Sequence, residues 1–188
     1  NYAQGYRAPD IAELYVVSPS YKDGKRFGSD VIYGPKTTAY ELKPEQSQTF
    51  EIALSNRLEK LFSELVLFNT KIDDKIELAS YGAGGAKYYT SENLDKVDIK
   101  GVELNLDYEL NNNTDLNFNL TYLDTEDKST NKELIFTPDL SASLGFNYKI
   151  LPNVATNLSL RYIGEQYSNS QNTTKTDDST LVELGVNY

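Results

Sequence analysis

The sequence predicts an all-β chain, an antiparallel meander that forms part of a transmembrane β-barrel. Three observations predict it. Apolar and polar residues alternate in stretch after stretch, the stretches run to about ten residues, and the connections between them are short and long in turn. Composition agrees. Asn, Thr and Tyr are plentiful, with 15 Tyr but no Trp and no Met, and helix formers are concentrated nowhere. The net charge of −10 excludes the basic footprint that general nucleic-acid binding requires. With neither cysteine nor histidine, disulfide scaffolds and thiolate metal sites are excluded, and the commonest general base is missing.

An opening strand at about residues 1–5 leads into the longest excursion, 6–45. The texture changes at Pro44, within "AYELKPEQSQTFEIALSNRL" (39–58). Beyond it Phe50, Ile52 and Leu54 share one face, and Thr49, Glu51 and Ser55 the other. Residues 61–78 are strand-like but less clean, with an unbroken apolar run at Val66–Phe68. A helix is the alternative there, and Asn69, Thr70 and the β-branched residues weigh against it. The alternation returns with Val102, Leu104, Leu106, Tyr108 and Leu110, then with Leu116, Phe118, Leu120 and Tyr122. It returns again with Leu140, Ala142, Leu144, Phe146 and Tyr148, and with Val154, Leu158, Leu160 and Tyr162. Val182, Leu184, Val186 and Tyr188 close the series.

Short connections are expected after residues 58 and 110 and around 151–153. Long ones are expected over 79–97, after 123 and over 165–180. Tight turns at one end and long polar loops at the other describe a membrane barrel. A soluble β-sandwich shares the apolar-in, polar-out pattern. Ten-residue runs favour the membrane, because average strands are nearer five or six. So do Tyr108, Tyr122, Tyr148, Tyr162 and Tyr188, which stand on the apolar face near strand ends, where an interfacial girdle belongs. Polar faces rich in Asn, Ser, Thr and Glu imply a wide, wet lumen with more strands than the eight counted.

The residues also resemble a known family, the TonB-dependent receptors of the Gram-negative outer membrane. "GYRAPDIAELY" (5–15) is similar to the family's G-F-[RK]-A-P-x-x-x-E-L-Y box, with Tyr6 where Phe is usual. "AYELKPEQSQTFEIAL" (39–54) is similar to its N-x-x-L-K-P-E-x-S-x-x-x-E-x-G-L box, departing at Ala39 and Ala53. "VDIKGVELNLDYEL" (97–110) resembles the I-x-G-V-E strand, and residues 120–148 resemble the hairpin that follows, with Leu140 where His is common. The resemblance implies a barrel of twenty-two strands. Residues 1–188 are then expected to be a partial receptor barrel of about eight strands, an internal fragment without plug, TonB box or last strands. It further implies uptake of ferric siderophores, haem or cobalamin, energised by the TonB complex through the plug, in a chain embedded in outer-membrane lipid. A passive porin or adhesin shares the strand pattern without the boxes. Catalysis is not expected.

The 6–45 excursion is expected to be an extracellular loop. Within 21–40, Lys22, Lys25, Arg26 and Lys36 outnumber Asp23 and Asp30, a local charge of +2. Tyr21, Phe27, Tyr33 and Tyr40 are interleaved. Cations among aromatic faces suit a planar, multiply anionic ligand such as a ferric tris-catecholate; the plain alternative is a solvated polar loop. Tyr81, Lys87, Tyr88 and Tyr89, in "YGAGGAKYY", repeat the theme on the next long loop, without the spacing of a phosphate loop. The interval between the first two boxes contains no His, which lowers the haem reading, although Tyr is a possible axial ligand. Its length most resembles the ferric-enterobactin and colicin I receptor branch, which adds colicin-type bacteriocins to the implied partners. The ferric siderophore is expected as transported ligand, with no covalently bound cofactor and no resident metal. Arg161 falls on the lumen face, where pairing with lumen carboxylates is the ordinary role and lining the ligand path the functional one. Arg7 and Pro9 are expected to fix the loop's exit from the first strand.

Overall fold

The computed structural model describes residues 1–15, 20–22, 25–27, 42–81 and 88–188. Eight strands form one antiparallel sheet, each hydrogen-bonded to the next in the chain: β1 (Tyr2–Arg7), β4 (Glu45–Leu58), β5 (Leu61–Tyr81), β6 (Tyr88–Asn111), β7 (Thr114–Asp127), β8 (Leu140–Leu151), β9 (Val154–Ile163) and β12 (Ser179–Asn187). Between β1 and β4 lie a five-residue helix, α1 (Ile11–Tyr15), and a hairpin of β2 (Ser20–Lys22) with β3 (Lys25–Phe27). Between β9 and β12 lies a smaller hairpin of β10 (Gln166–Tyr167) with β11 (Lys175–Thr176).

The alternation of connections stands as the sequence predicts. At one end β4–β5, β6–β7 and β8–β9 are joined by the pairs Glu59-Lys60, Asn112-Asn113 and Pro152-Asn153. Neighbouring turns are stitched together there. The Glu109 amide donates to the Lys60 carbonyl at 2.8 Å, and the Lys149 amide to the Asn113 carbonyl at 2.8 Å. Asn111 Oδ1 accepts from the Asn113 amide (2.9 Å) and the Thr114 hydroxyl (3.1 Å), satisfying groups that the turn frees from the ladder.

Register decides which side chains share a face. Leu54, Leu65, Leu104, Leu120, Ala142 and Tyr162 stand opposite one another in one row across six strands. Leu106, Phe118, Leu144, Leu160 and Val182 make the next. Nothing among the described residues covers this face: Ile52 is 65% and Leu54 66% exposed. Leaving so much hydrocarbon in water is costly, at about 25 cal/mol per Å²; a lipid environment removes the cost. From Val102 to Leu110 the apolar rows cover eight residue steps of β6, roughly 26 Å along the strand, near the height of a barrel's apolar band. Tyr122 and Tyr162 lie at the long-loop edge of this band, and Tyr108, Tyr148 and Tyr188 at the short-turn edge.

The opposite face is polar. One row reads Ser55, Glu64, Asn105, Asn119, Ser143, Arg161, and Asn119 donates to the Ser143 hydroxyl at 3.2 Å. Gly101 has a packing reason. The Phe68 ring lies across it from β5, and a Cβ at that position would clash with the ring. The glycine of the I-x-G-V-E stretch is therefore a cradle for an aromatic ring.

Three expectations are corrected. Residues 79–97 are not all loop: β5 and β6 continue as a paired hairpin to Tyr81↔Tyr88. β7 likewise reaches Asp127 instead of ending near 123. The reason is a change of phase. Above the Val102–Tyr122 row the apolar-face positions become Asn69, Lys71, Asp73, Lys96, Asp98, Lys100, Asp124 and Glu126. The apolar residues Ile72, Ile76 and Val97 move to the polar side. Val66–Phe68 is the crossover, which explains why that run is unbroken. The helix at 11–15 was also unforeseen, although Asp10 and Glu13 have capping-box spacing.

Candidate functional site

The long-loop end carries the built features. The first two sequence boxes meet there through one arginine. Arg7, the last residue of β1, lies opposite Glu45, the first of β4. Its Nε and Nη2 donate to the two Glu45 carboxylate oxygens at 2.8 Å each, a bidentate fork. Its Nη1 donates to both Glu13 oxygens at 2.9 and 3.0 Å. Glu13 is the far half of the capping box: its carboxylate accepts the Asp10 amide at 2.8 Å, and Asp10 Oδ1 accepts the Glu13 amide at 2.7 Å. Glu45 also accepts the Ile76 amide from β5 at 2.7 Å. The Arg7 hydrogen bonds hold the Glu45 carboxyl below its usual range, against the opposing effect of burial, and Glu45 in turn raises the Arg7 guanidinium. Arg7 thus fixes the loop's exit from its strand, as the sequence suggests.

The second box is pinned again one residue pair earlier. Asn93 of β6 accepts the Lys43 amide at 2.8 Å, donates to the Lys43 carbonyl at 2.9 Å, and donates to the Asp74 carbonyl at 2.6 Å. Asp74 has a φ of 55°, and its carboxylate takes Lys43 Nζ at 3.4 Å. The entry into β4 and the tall β5–β6 hairpin are therefore one braced unit. Sequence reasoning missed Asn93 and Asp74. "IDDK" at 72–75 carries the only signal, a polar pair in a strand at a position suited to the left-handed region.

After β7 the chain turns back over the polar face. Asp127 accepts from the Ser129 amide (2.9 Å), the Ser129 hydroxyl (2.7 Å) and the Thr130 hydroxyl (2.6 Å). Burial pushes its carboxyl up, but these bonds outweigh burial and leave it below the usual carboxylate range. Leu134 is 5% exposed, with its amide on the Thr125 hydroxyl at 3.2 Å. With Val97, 0% exposed, it forms a small core above the band.

Of the residues singled out from sequence, the backbone places Tyr21, Lys22, Lys25, Arg26 and Phe27 on the β2–β3 hairpin. There Tyr21 lies opposite Arg26 and Lys22 opposite Lys25. It places Tyr81 and Tyr88 opposite each other at the tip of β5–β6, with Tyr89 next. Tyr33, Lys36 and Lys87 lie outside the described residues. Arg161 stands in the polar row, but the expected ion pair is not found among the described residues. Its cross-strand neighbours are Ser143 and Leu181, and the nearby acid Glu183 lies opposite Ser159 and accepts its hydroxyl at 3.3 Å. Among the described residues no group of three acids is placed to hold a metal ion.

The family described as TonB dependent receptor-like, beta-barrel matches residues 1–188. The vitamin B12 transporter BtuB of Photobacterium profundum is 30% identical over 159 residues, covering 84% of this chain and 26% of that protein. The chain therefore spans about a quarter of that relative's length. Among solved structures, the copper transporter OprC superposes with a TM-score of 0.77 at 19% identity, over 98% of this chain and 28% of that one. A mutant ferric enterobactin receptor from Pseudomonas aeruginosa, in complex with enterobactin, superposes with a TM-score of 0.69 at 20% identity, over 98% and 30%.

Proposed function

Since the chain belongs to the β-barrel family of TonB-dependent receptors, a family of receptors and transporters rather than enzymes, we propose that it is one arc of a twenty-two-stranded outer-membrane receptor for ferric siderophores. A catecholate ligand is favoured, in a branch similar to the ferric-enterobactin and colicin I receptors. In this reading the apolar band meets lipid and the polar face lines the passage. Energy reaches the ligand through TonB and a plug that residues 1–188 do not include, and colicin-type bacteriocins are further partners at the cell surface.

One observation carries the ligand class: a +2 segment rich in Tyr and Phe (21–40) within a chain of −10. Charge of that sign raises the encounter rate of an anionic ferric complex, and flat rings supply contact area. Lys22, Lys25, Arg26 and Lys36 supply the charge. Tyr21, Phe27 and Tyr33, with Tyr81, Lys87, Tyr88 and Tyr89 of the neighbouring hairpin, supply further contacts, and Arg161 lines the path below. The test is ferric enterobactin binding by the whole receptor. Replacing Lys22, Lys25 and Arg26 together by Ala is expected to weaken binding about tenfold at low salt and to flatten its salt dependence. Unchanged affinity contradicts the assignment.

A second reading, cobalamin uptake, is favoured by the 30% identity to a vitamin B12 transporter. Cyanocobalamin binding by the same receptor separates the two, and that ligand is expected to be indifferent to the triple substitution.

A further inference from the structure

Phe136 is held in a conformation that its own chemistry disfavours. Its φ is 53°, in the left-handed region that a bulky aromatic rarely enters, and it is 62% exposed. An apolar ring gains nothing in water and a strained backbone costs stability, so the surroundings must impose both. They do so through a brace between two loops. Asn172, itself at a φ of 53°, accepts the Glu133 amide at 2.8 Å and donates to the Glu133 carbonyl at 3.1 Å. The Phe136 amide donates to the Tyr167 carbonyl at 2.8 Å. Asn169 secures the far loop by accepting the Thr173 and Thr174 amides at 3.1 and 3.0 Å. Leu134, two residues before Phe136, is buried against the polar face of the sheet, so the brace stands on the passage side.

The local electrostatics are unlike those of the 21–40 segment. Over 128–139 the charges cancel, and over 164–178 three acids face one lysine. That lysine, Lys175, is taken up by Glu165 at 3.2 Å and lies over the Tyr167 ring at 5.0 Å. The net charge of the two loops does not favour an anion. A rigid exposed ring in a surround of net negative charge suits a flat, uncharged surface, which it contacts without losing conformational freedom on binding.

We propose that Phe136 is a ligand-contacting residue, presented by the 128–139 and 164–178 loops against the carbon face of a ring of the transported molecule, on the side away from its charged oxygens. This rests on the uptake reading above and divides its site in two: cations capture the ligand's charge, and Phe136 packs on its ring.

The test uses the whole receptor with ferric enterobactin and cyanocobalamin as probes. It compares Phe136→Gly, Phe136→Ala and Phe136→Trp by equilibrium binding and thermal unfolding. Phe136→Gly accepts the left-handed backbone without strain, so it is expected to melt no lower than the parent while the Kd of the bound probe rises at least tenfold. Phe136→Ala is expected to lose the same affinity, and Phe136→Trp to retain most of it. Loss confined to cyanocobalamin supports the contact and removes the siderophore reading. Binding of the parent's preferred probe within twofold in both Gly and Ala variants overturns the proposal, and a parent that binds neither probe overturns both readings.

Discussion

The lower and upper halves of the β5–β6 hairpin are the same two strands, paired in one register without a break, yet their polarity is opposite. Below, Leu65, Leu67, Val102 and Leu104 face outward and Glu64, Glu103 and Asn105 face the passage. Above, Lys71, Asp73, Lys96 and Asp98 face outward, while Ile72, Ile76 and Val97 face in. The register is the same in both halves, with the left-handed Asp74 (φ 55°) as an exception in the upper one, so the difference in polarity lies in what surrounds them. In the proposed reading, lipid selects hydrocarbon on the outside of the lower half. Water on the outside of the upper half selects charge, and the loops folded over its inner side select a small apolar core.

The largest expected effect comes from breaking the lower half. Leu104→Arg puts a charge near the middle of the apolar band and should cost about 2–4 kcal/mol of assembly. Lys100→Arg, four residues away and two same-face positions higher, should cost nothing. Heat-modifiable gel mobility after expression in the outer membrane reads both, and equal assembly would erase the comparison.

Next is the crossover. Gly101→Val drives a side chain into the Phe68 ring and should destabilise by about 1–3 kcal/mol. The pair Gly101→Val with Phe68→Ala should recover part of that loss in a double-mutant cycle of unfolding free energies. Strict additivity would mean that the ring is not the obstacle.

A smaller effect belongs to the rim. Arg7→Ala leaves Glu45 and Glu13 without their shared cation and should cost about 1 kcal/mol, the guanidinium being partly exposed. Glu45 has its carboxyl lowered in the folded state, so its contribution is complete above its ordinary value of 4.5 and fades as pH falls through the lower folded value. Melting temperature against pH should therefore drop on the acid side in the parent and less so in Glu45→Gln. The smallest effect is Lys100→Ala. Its pair with Asp124 is 3.8 Å long and more than half exposed on both sides, so a change within about 0.5 kcal/mol is expected in the same unfolding assay.

What was legible in the sequence follows the same division. The band could be read because one apolar phase recurs from Phe50 in β4 to Val186 in β12, and because turns and loops alternate in length. The upper hairpin could not, because Ile72, Ile76 and Val97 repeat the alternation on the other face, so that residues 79–97 look like loop. The Arg7 clamp was half visible in the boxes, and the Asp10–Glu13 spacing marked α1 without being used. Asn93 and Asn172 were beyond sequence reasoning. Each acts through its amide group on the backbone of a residue distant in the chain, 50 positions away for Asn93 on Lys43 and 39 for Asn172 on Glu133. Any Asn on any loop looks the same in one dimension.

Residues 1–188 contain no cysteine, which makes the central claim directly measurable with single cysteines at Leu104, Asn105 and Lys71 in membrane-embedded receptor. Spin labels or fluorophores on them are exposed in turn to a lipid-phase quencher and to a water-soluble one. The account predicts lipid-phase quenching at Leu104 alone and water-phase quenching at Lys71 on the same outward face. Leu104 quenched from water as strongly as Lys71 would contradict it.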